Sequence, residues 1–181
     1  MEFNELIKNR ESCRNFNSEK KVRDEIIKKI IEAANLAPSA CNGQPYYLTI
    51  VKGDKAKEVA KLTSGMGLNK FTKDASHLIV VSEKPYVKSA AVGSKIKNND
   101  YRSIDIGIVT SYITLAATNM GISSCILGWF DEARIQSLLN ISERIRLVIA
   151  LGYPENDKIR EKKRKSLNEI SNIDFLKGEL L

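Results

Sequence analysis

The sequence predicts an α/β or α+β domain in which helices cover a small sheet. Length and composition are the first observation, because 181 residues that are 43% hydrophobic and 28% charged suit one compact domain. Helical and strand periods alternate along the chain and give four candidate strands. The segment 102–120 combines apolar residues with small hydroxyl residues, which predicts a helix buried nearly all round. We expect a single domain over 1–181 with a basic extension at about 155–181.

The individual elements follow from the period of the apolar residues. The predicted helices span 2–9, 22–37, 54–63, 102–120 and 132–139, and the predicted strands span 46–52, 77–82, 123–127 and 145–151. Pro38 is expected to close the second helix. Asp54 and Asp131 stand where helix N-caps are expected. Residues 84–100 are polar and irregular, which predicts a mobile segment.

Several classes of protein are disfavoured by simple features of the chain. No apolar run approaches the ~18 residues of a membrane-spanning helix, and the first residues lack the plan of a signal peptide. The three cysteines, Cys13, Cys41 and Cys125, lie far apart, which suits a reducing compartment better than a disulfide framework. With one histidine, His77, and no CxxC pair, a zinc site is not expected. We expect a cytoplasmic protein that contacts no membrane.

Positive charge is concentrated near the C-terminus. The net charge is +7, and residues 158–165, KIREKKRK, contain six basic residues and one acidic residue. This run therefore supplies five of the seven net positive charges. A local basic tail on a nearly neutral body indicates one anion-binding site or a solvated tail. A nucleic-acid-binding protein is an alternative, although aromatic residues are few and no base-stacking motif is present.

The segment RESCR follows the first helix and is predicted to be extended. Side chains two residues apart in an extended chain point the same way, so Arg10, Ser12 and Arg14 would converge. Two guanidinium groups and a hydroxyl on one face suit a phosphate. A solvated surface strand is the alternative interpretation. Lys162 and Arg164 are also two residues apart and could join such a site.

Two further segments are candidates for contacts with a planar heterocycle. The loop APSACNGQP carries donors and acceptors on Ser39, Asn42 and Gln44. These groups could bind the edge of a heterocycle, or they could satisfy the loop's own backbone as turns. The segment SCILGWF runs from a strand into Gly128, where a planar ligand could approach the backbone closely. A strand end with core aromatic residues is the alternative there.

Taken together and in this order, these segments resemble the nitroreductase family of FMN-dependent oxidoreductases. The order is specific: RxSxR, a helix, APSAxNxQP, a strand, DASH, a long buried helix, Gly-Trp-Phe, LGYP and a terminal KxR. The resemblance extends from Phe3 to about Ile170. Leu127 stands where some members carry Glu, and the segment 84–100 that covers the site is reduced. Both differences concern the substrate rather than the flavin.

The resemblance implies three groups of FMN-binding residues. One group holds the phosphate and ribityl chain: Arg10, Ser12 and Arg14, joined by the C-terminal pair Lys162 and Arg164. A second group belongs to a loop contributed by the partner subunit: Pro38, Ser39, Ala40, Asn42 and, in the same motif, Gln44. A third group lies along the flavin ring: the backbone of Cys125, Ile126, Leu127 and Gly128, with an N–H near flavin N5, and Asn69 and Lys70 at the pyrimidine edge.

The family fold is α+β, with a central mixed sheet flanked by helices in an intertwined homodimer, and the resemblance places the helix 102–120 at the subunit interface. The implied activity is ping-pong hydride transfer from NADH or NADPH through flavin N5 to a small acceptor such as a nitroaromatic or a quinone. The flavin carries the chemistry, so no catalytic side chain is implied. Alternatives are dehalogenation, dehydrogenation or flavin breakdown on the same fold, and the nucleic-acid-binding hypothesis.

Overall fold

Four strands form one sheet that lies between two layers of helices in the computed structural model, which describes residues 1–156 and 158–172. The strands are β1 (Tyr46–Lys52), β2 (His77–Glu83), β3 (Ser123–Leu127) and β4 (Ile145–Gly152). The α-helices are α1 (Phe3–Asn9), α2 (Asp24–Ala34), α3 (Gly53–Thr63), α4 (Lys88–Lys97), α5 (Tyr101–Asn119), α6 (Glu132–Leu139) and α7 (Leu167–Ile170). Short 3₁₀ turns lie at Ala40–Asn42, Gly65–Gly67 and Lys70–Asp74. The architecture is α+β, as predicted.

The strand order is β1-β2-β4-β3, and the three pairings between these strands are antiparallel. The parallel pairing of the expected mixed sheet is limited, in the described part of the chain, to an isolated bridge between Ser12 and Ser124. β2 and β4 are therefore the central strands, and β1 and β3 are the outer ones. This order matters for the candidate site, because the segment after α1 joins the β3 edge and the loop before β1 lies at the opposite edge.

Alternation along β2 separates the two halves of the core. Leu78 and Val80 pack with α3 and α6 on one face, whereas Ile79 and Val81 pack with α2 and α5 on the other. All four side chains are fully buried. A strand with both faces covered reads as a continuous apolar run, which is the pattern LIVV at this position.

Three local predictions need correction. α2 ends at Ala34, not at residue 37, because the chain tightens into turns in which Leu36 N–H bonds the Ala33 carbonyl and Ala37 N–H bonds the Ala34 carbonyl. Asp54 does not cap α3: it lies in the first turn, where its carboxylate pairs with Lys57 at 3.0 Å. The third correction concerns α4, described below. The cap at Asp131 is confirmed, since its side chain accepts the Arg134 N–H.

The prediction that residues 84–100 are irregular is wrong, because this segment contains the ten-residue helix α4. Its only buried residue is Ala90, and Val92 and Ile96 are exposed. The helix therefore lacks the apolar stripe that normally indicates a helix in a sequence. Asn98, in the left-handed conformation at φ 47°, ends it. Asparagine at such a position is a C-cap signal.

α5 is apolar on two opposite faces. Its inward face packs on the sheet through a row of fully or nearly fully buried residues: Ile106, Val109, Ile113 and Ala117. Its outward face repeats at helical spacing through Ile104, Ile108, Tyr112 and Leu115, and within one chain Ile104 is 48% exposed and Tyr112 is 38% exposed. The prediction of burial on nearly all sides is thus met on one face, and the other apolar face is only partly covered in the single chain.

A chain of hydrogen bonds ties the start of α2 to β2. Ser76 Oγ accepts the Val22 N–H at 2.8 Å and lies 3.0 Å from His77 Nδ1. His77 Nε2 lies 3.5 Å from Asp24 Oδ1. Because the Asp24 carboxylate can only accept, the neutral His77 carries its proton on Nε2, and its Nδ1 then accepts from the Ser76 hydroxyl. These contacts give His77 a structural role.

We expect this histidine to make the free energy of unfolding depend on pH. Burial lowers the pKa of His77 below its ordinary value of 6.5, and Asp24 offsets only part of this effect. The unfolded chain therefore takes up a proton on His77 at a higher pH than the folded chain does, so stability falls as the pH drops from 7.5 through 6.5 to 5.5. Urea unfolding at these pH values measures the effect. The slope should be shallower in His77→Gln, and equal slopes in the two proteins would contradict the prediction.

Candidate functional site

The segment after α1 is extended and lies against the edge of β3. Cys13 N–H donates to the Ser124 carbonyl at 2.9 Å. Cys13 is buried at 5% exposure, whereas Arg14 next to it is exposed. Arg10, Ser12 and Arg14 line one cavity of about 310 Å³. The alternation predicted for this segment is therefore present in the structure, with the thiol directed to the core and the two guanidinium groups to the cavity.

The basic tail lines the same cavity. The lining residues, six basic and two acidic among them, are Arg10, Glu11, Ser12, Arg14, Arg160, Glu161, Lys162, Lys163 and Arg164. The structure thus brings together two groups that are almost 150 residues apart in sequence. The ammonium group of Lys162 donates to the Lys8 carbonyl, and Arg164 donates to the Lys163 carbonyl at 2.8 Å. An excess of positive charge around a hydroxyl suits a multiply charged anion.

Arg160 is a site residue that the sequence analysis missed. Its Nη2 donates to the Ser12 carbonyl at 2.7 Å, and its backbone N–H donates to Glu11 Oε2 at 3.1 Å. Its Nε lies 3.5 Å from the same Glu11 carboxylate oxygen. Arg160 therefore attaches the tail to the RESCR segment. Arg160 stands two residues before Lys162, just as Arg10 stands two residues before Ser12. The alternation that groups Arg10 with Ser12 could therefore have identified Arg160 as well.

The two buried thiols beneath this cavity are held in their neutral form. Burial raises the pKa of Cys125 and of Cys13. The positive charges of Arg14, Arg160 and Arg10 act against this effect at Cys125, but burial is the larger cause. A thiol with a raised pKa is a poor nucleophile. The cavity is thus equipped for binding an anion rather than for cysteine chemistry.

The end of β3 offers an open backbone edge next to the cavity. The side chains of Cys125 and Leu127 are buried, and that of Ile126 is 41% exposed. The Ser124 carbonyl faces outward to the RESCR segment, and backbone groups two residues further along a strand face the same edge, so those of Ile126 do too. A Cβ added to Gly128 would meet no atom within 4 Å. This is the open surface that a planar ligand needs.

Asn69 lies beside this edge. It adopts the left-handed conformation at φ 51°, and its amide nitrogen donates to the Thr63 and Trp129 carbonyls, both at 3.2 Å. Lys70 is exposed. The structure therefore brings Asn69 next to the segment that follows Gly128. One role of the Asn69 amide group is structural, since it fixes the position of the Trp129 backbone.

The loop that carries Ser39 and Asn42 lies elsewhere, before β1 at the other edge of the sheet. Gln44 N–H donates to Ser39 Oγ at 3.0 Å, and the Gln44 amide donates to Asn42 Oδ1 at 3.0 Å. Pro38, Asn42 and Gln44 are exposed, and Ser39 and Ala40 are half-buried. Three strand spacings, about 14 Å, separate the outer strands β1 and β3. Within one chain the loop and the basic cavity are therefore far apart.

Comparison with known proteins decides the family. The sequence profile of the nitroreductase family matches residues 7–153. This chain belongs to the nitroreductase family. It is 31% identical over 159 residues to a proposed NADH dehydrogenase/NAD(P)H nitroreductase of Archaeoglobus fulgidus, which covers 84% of this chain and 86% of that protein. Family members named in this way are oxidoreductases, so the chain is an enzyme of that class.

Two more distant relatives carry different activities in their names. An oxygen-insensitive NADPH nitroreductase of Helicobacter acinonychis is 27% identical over 195 residues, which cover 90% of each chain. An iodotyrosine deiodinase of Thermotoga neapolitana is 25% identical over 167 residues, which cover 85% of this chain and 89% of that protein. The nitroreductase family therefore includes both kinds of reduction among the relatives of this chain.

Solved structures agree with the fold. A nitroreductase family protein of Streptococcus pneumoniae superimposes with a TM-score of 0.80 at 25% identity, over 95% of this chain and 100% of that chain. A protein of Exiguobacterium sibiricum that was solved in complex with FMN superimposes with a TM-score of 0.79 at 20% identity, over 96% of this chain and 98% of that chain.

In the described part of this chain, no helix has the length and apolar character needed to cross a membrane. No cluster of metal-ligating side chains occurs there either.

Proposed function

We propose that this protein is an FMN-dependent oxidoreductase that takes reducing equivalents from NADH or NADPH and delivers them to a small organic acceptor. The observation that carries the proposal is the basic cavity at the open edge of β3. It combines Arg10, Ser12 and Arg14 with the C-terminal Arg160, Lys162 and Arg164. An anionic group and a planar ring can be bound there side by side.

The residues present fit FMN. The phosphate is a dianion, and the cavity supplies guanidinium forks that match its oxygens and a serine hydroxyl that can donate to it. The ring would lie along the backbone of Cys125, Ile126, Leu127 and Gly128, where the structure leaves open space beside Gly128. Asn69 and Lys70 would meet the ring's pyrimidine edge. The Exiguobacterium structure with FMN supports this assignment by its shared fold.

FMN, when bound, supplies the redox chemistry by accepting a hydride from the nicotinamide and passing it on to the acceptor. The chain's own residues then have three tasks. The basic residues hold the phosphate, the edge of β3 supports one side of the ring, and the other side stays open to donor and acceptor in turn. Such alternating occupancy gives ping-pong kinetics. No general acid or base is needed among the described side chains.

Nitroaromatics and quinones are the acceptors we propose first, because the Archaeoglobus and Helicobacter relatives are named as nitroreductases. Reductive dehalogenation is the second candidate, favoured by the Thermotoga relative named as a deiodinase. The nucleic-acid-binding hypothesis is less well supported. Arg160 is engaged with Glu11 and Ser12, and the basic tail faces a cavity rather than forming an extended surface.

We also propose a homodimer with a flavin site completed by both subunits. Two observations support it. The outward apolar face of α5 is only partly covered in one chain, where Ile104 and Tyr112 are exposed. The loop of Ser39 and Asn42 precedes β1, and three strand spacings, about 14 Å, separate β1 from β3. A partner packed on α5 would cover the apolar face and could bring its own loop to this chain's flavin.

The function is tested on the purified protein. Heat release followed by chromatography should give FMN at about one per chain, and anaerobic addition of NADH or NADPH should bleach the flavin absorbance. Reoxidation by nitroaromatics, quinones or halogenated phenols then identifies the acceptor class. Recovery of FAD, or no flavin even after reconstitution, would disprove the proposal.

We expect Arg14→Ala to weaken FMN binding more than Cys13→Ala does. Arg14 faces the cavity and Cys13 faces the core, so only the first change removes a phosphate contact. A hydrogen bond to a charged group is worth ~1.5–3 kcal/mol, which corresponds to about 10–150-fold in the dissociation constant. Fluorescence titration of the two apoproteins with FMN measures this. Equal losses in both variants would contradict the geometry of the RESCR segment.

We expect Ile104→Lys to dissociate the dimer without unfolding the chain. Ile104 is exposed in the single chain, so lysine there is compatible with the fold, but in the dimer its charge would be desolvated. Ile113 is unsuitable for this test because it is already buried in the chain's own core. Ile96→Lys, on the exposed face of α4, is the matched control. Sedimentation with flavin detection should show a dimer for the wild type and the control and a flavin-poor monomer for Ile104→Lys; a wild-type monomer that carries FMN would refute the shared site.

A further inference from the structure

We propose that Asp105 is a positioning residue that holds the loop Ser39–Gln44 in the conformation that contacts FMN. The inference rests on the proposed function, because it assumes that this loop contributes to a flavin site. The decisive contact is a hydrogen bond from the Ala40 N–H to Asp105 Oδ1 at 3.0 Å. It joins residues 65 positions apart and connects the loop to α5.

Asp105 is an unusual residue at its place in the fold. Only 3% of it is exposed, and it lies on the helix that packs against the sheet. Its Oδ1 accepts from Ala40, whereas its Oδ2 is buried with no hydrogen-bond partner among residues 1–156 and 158–172. An incompletely paired buried carboxylate is unfavourable for folding. A task other than stability is a physical reason for its presence.

The loop needs an external support because its backbone is strained. Cys41, Asn42 and Gln44 have φ values of 52°, 51° and 43°. Residues other than glycine rarely adopt this left-handed conformation, and it persists only where the surroundings impose it. Contacts between Ser39, Asn42 and Gln44 close the loop on itself. The Asp105 bond is the contact that fixes the closed loop relative to α5.

Tyr46 adds a second, independent observation at the same place. Its hydroxyl oxygen is also buried without a hydrogen-bond partner in the described chain. Burial raises the pKa of Tyr46, and the negative charge of Asp105 raises it further. The Asp105 carboxylate therefore acts electrostatically on the first residue of β1 and bonds the loop through Ala40.

The position of Asp105 on α5 couples the loop to the proposed interface. Ile104, the neighbouring residue, lies on the outward face of the helix, and Asp105 is directed inward to the loop. A partner that packs on the outward face therefore fixes α5, and α5 holds the loop through Asp105. Dimerisation and the geometry of the loop are then controlled by adjacent residues of one helix.

The test compares Asp105→Ala, which removes the acceptor, with Asp105→Asn, which keeps an acceptor oxygen. Thr110→Val is the matched control, because Thr110 is also buried on α5 and its hydroxyl oxygen has no hydrogen-bond partner in the described chain, the loop included. We expect Asp105→Ala to weaken FMN binding by about tenfold or more, the loss of a hydrogen bond to a charged group. Asp105→Asn should lose much less, and Thr110→Val should match the wild type.

Hydrogen exchange in the apoproteins gives a readout that does not depend on flavin. The Ala40 amide should exchange faster in Asp105→Ala than in the wild type and Asp105→Asn, with sedimentation unchanged. If that exchange rises but FMN affinity does not fall, or if Asp105→Asn loses as much FMN affinity as Asp105→Ala, the positioning role is wrong. If the wild type itself binds no FMN, the proposed function fails and this inference fails with it; a loss confined to the variants concerns Asp105 alone.

Discussion

The site depends on one backbone contact, the pairing of the RESCR segment with the edge of β3. Cys13 N–H bonds the Ser124 carbonyl, and Ser12 forms a parallel bridge with Ser124. This pairing fixes which side chains face inward, so it directs Arg14 into the cavity. Arg160 in turn bonds the Ser12 carbonyl. β3 therefore positions the RESCR segment, and the RESCR segment in turn positions the basic tail.

Local patterns predicted most of the elements and the direction of the cavity side chains. The alternation of two was sufficient to separate Arg14 from Cys13, and the apolar period was sufficient for α5. The same reasoning failed for α4, because only Ala90 is buried there and no apolar stripe marks the helix. Some contacts between distant residues had no local signal. The bond from Ala40 to Asp105 is an example, since neither residue type indicates the other.

The two interpretations of the loop before β1 are compatible. Ser39 Oγ and Asn42 Oδ1 accept bonds from Gln44, which is the turn interpretation. A hydroxyl that accepts still has a hydrogen to donate, and an asparagine whose oxygen accepts still has two N–H donors. The groups that stabilise the turn thus keep the donors that a heterocycle would need. The sequence alone could not show this, because it does not reveal whether the turn uses the acceptor oxygens or the donor groups of these side chains.

The acidic residues explain how so basic a cavity can exist before an anion arrives. Glu11 pairs with Arg160 through both the side chain and the backbone N–H. That pair uses one of the cavity's six cations to hold the tail and reduces repulsion among the others. Arg10 and Arg14 remain directed to the cavity, with Ser12 between them. A phosphate that enters therefore meets donors that are already in position, and less conformational entropy is lost on binding than if the tail had to fold around it.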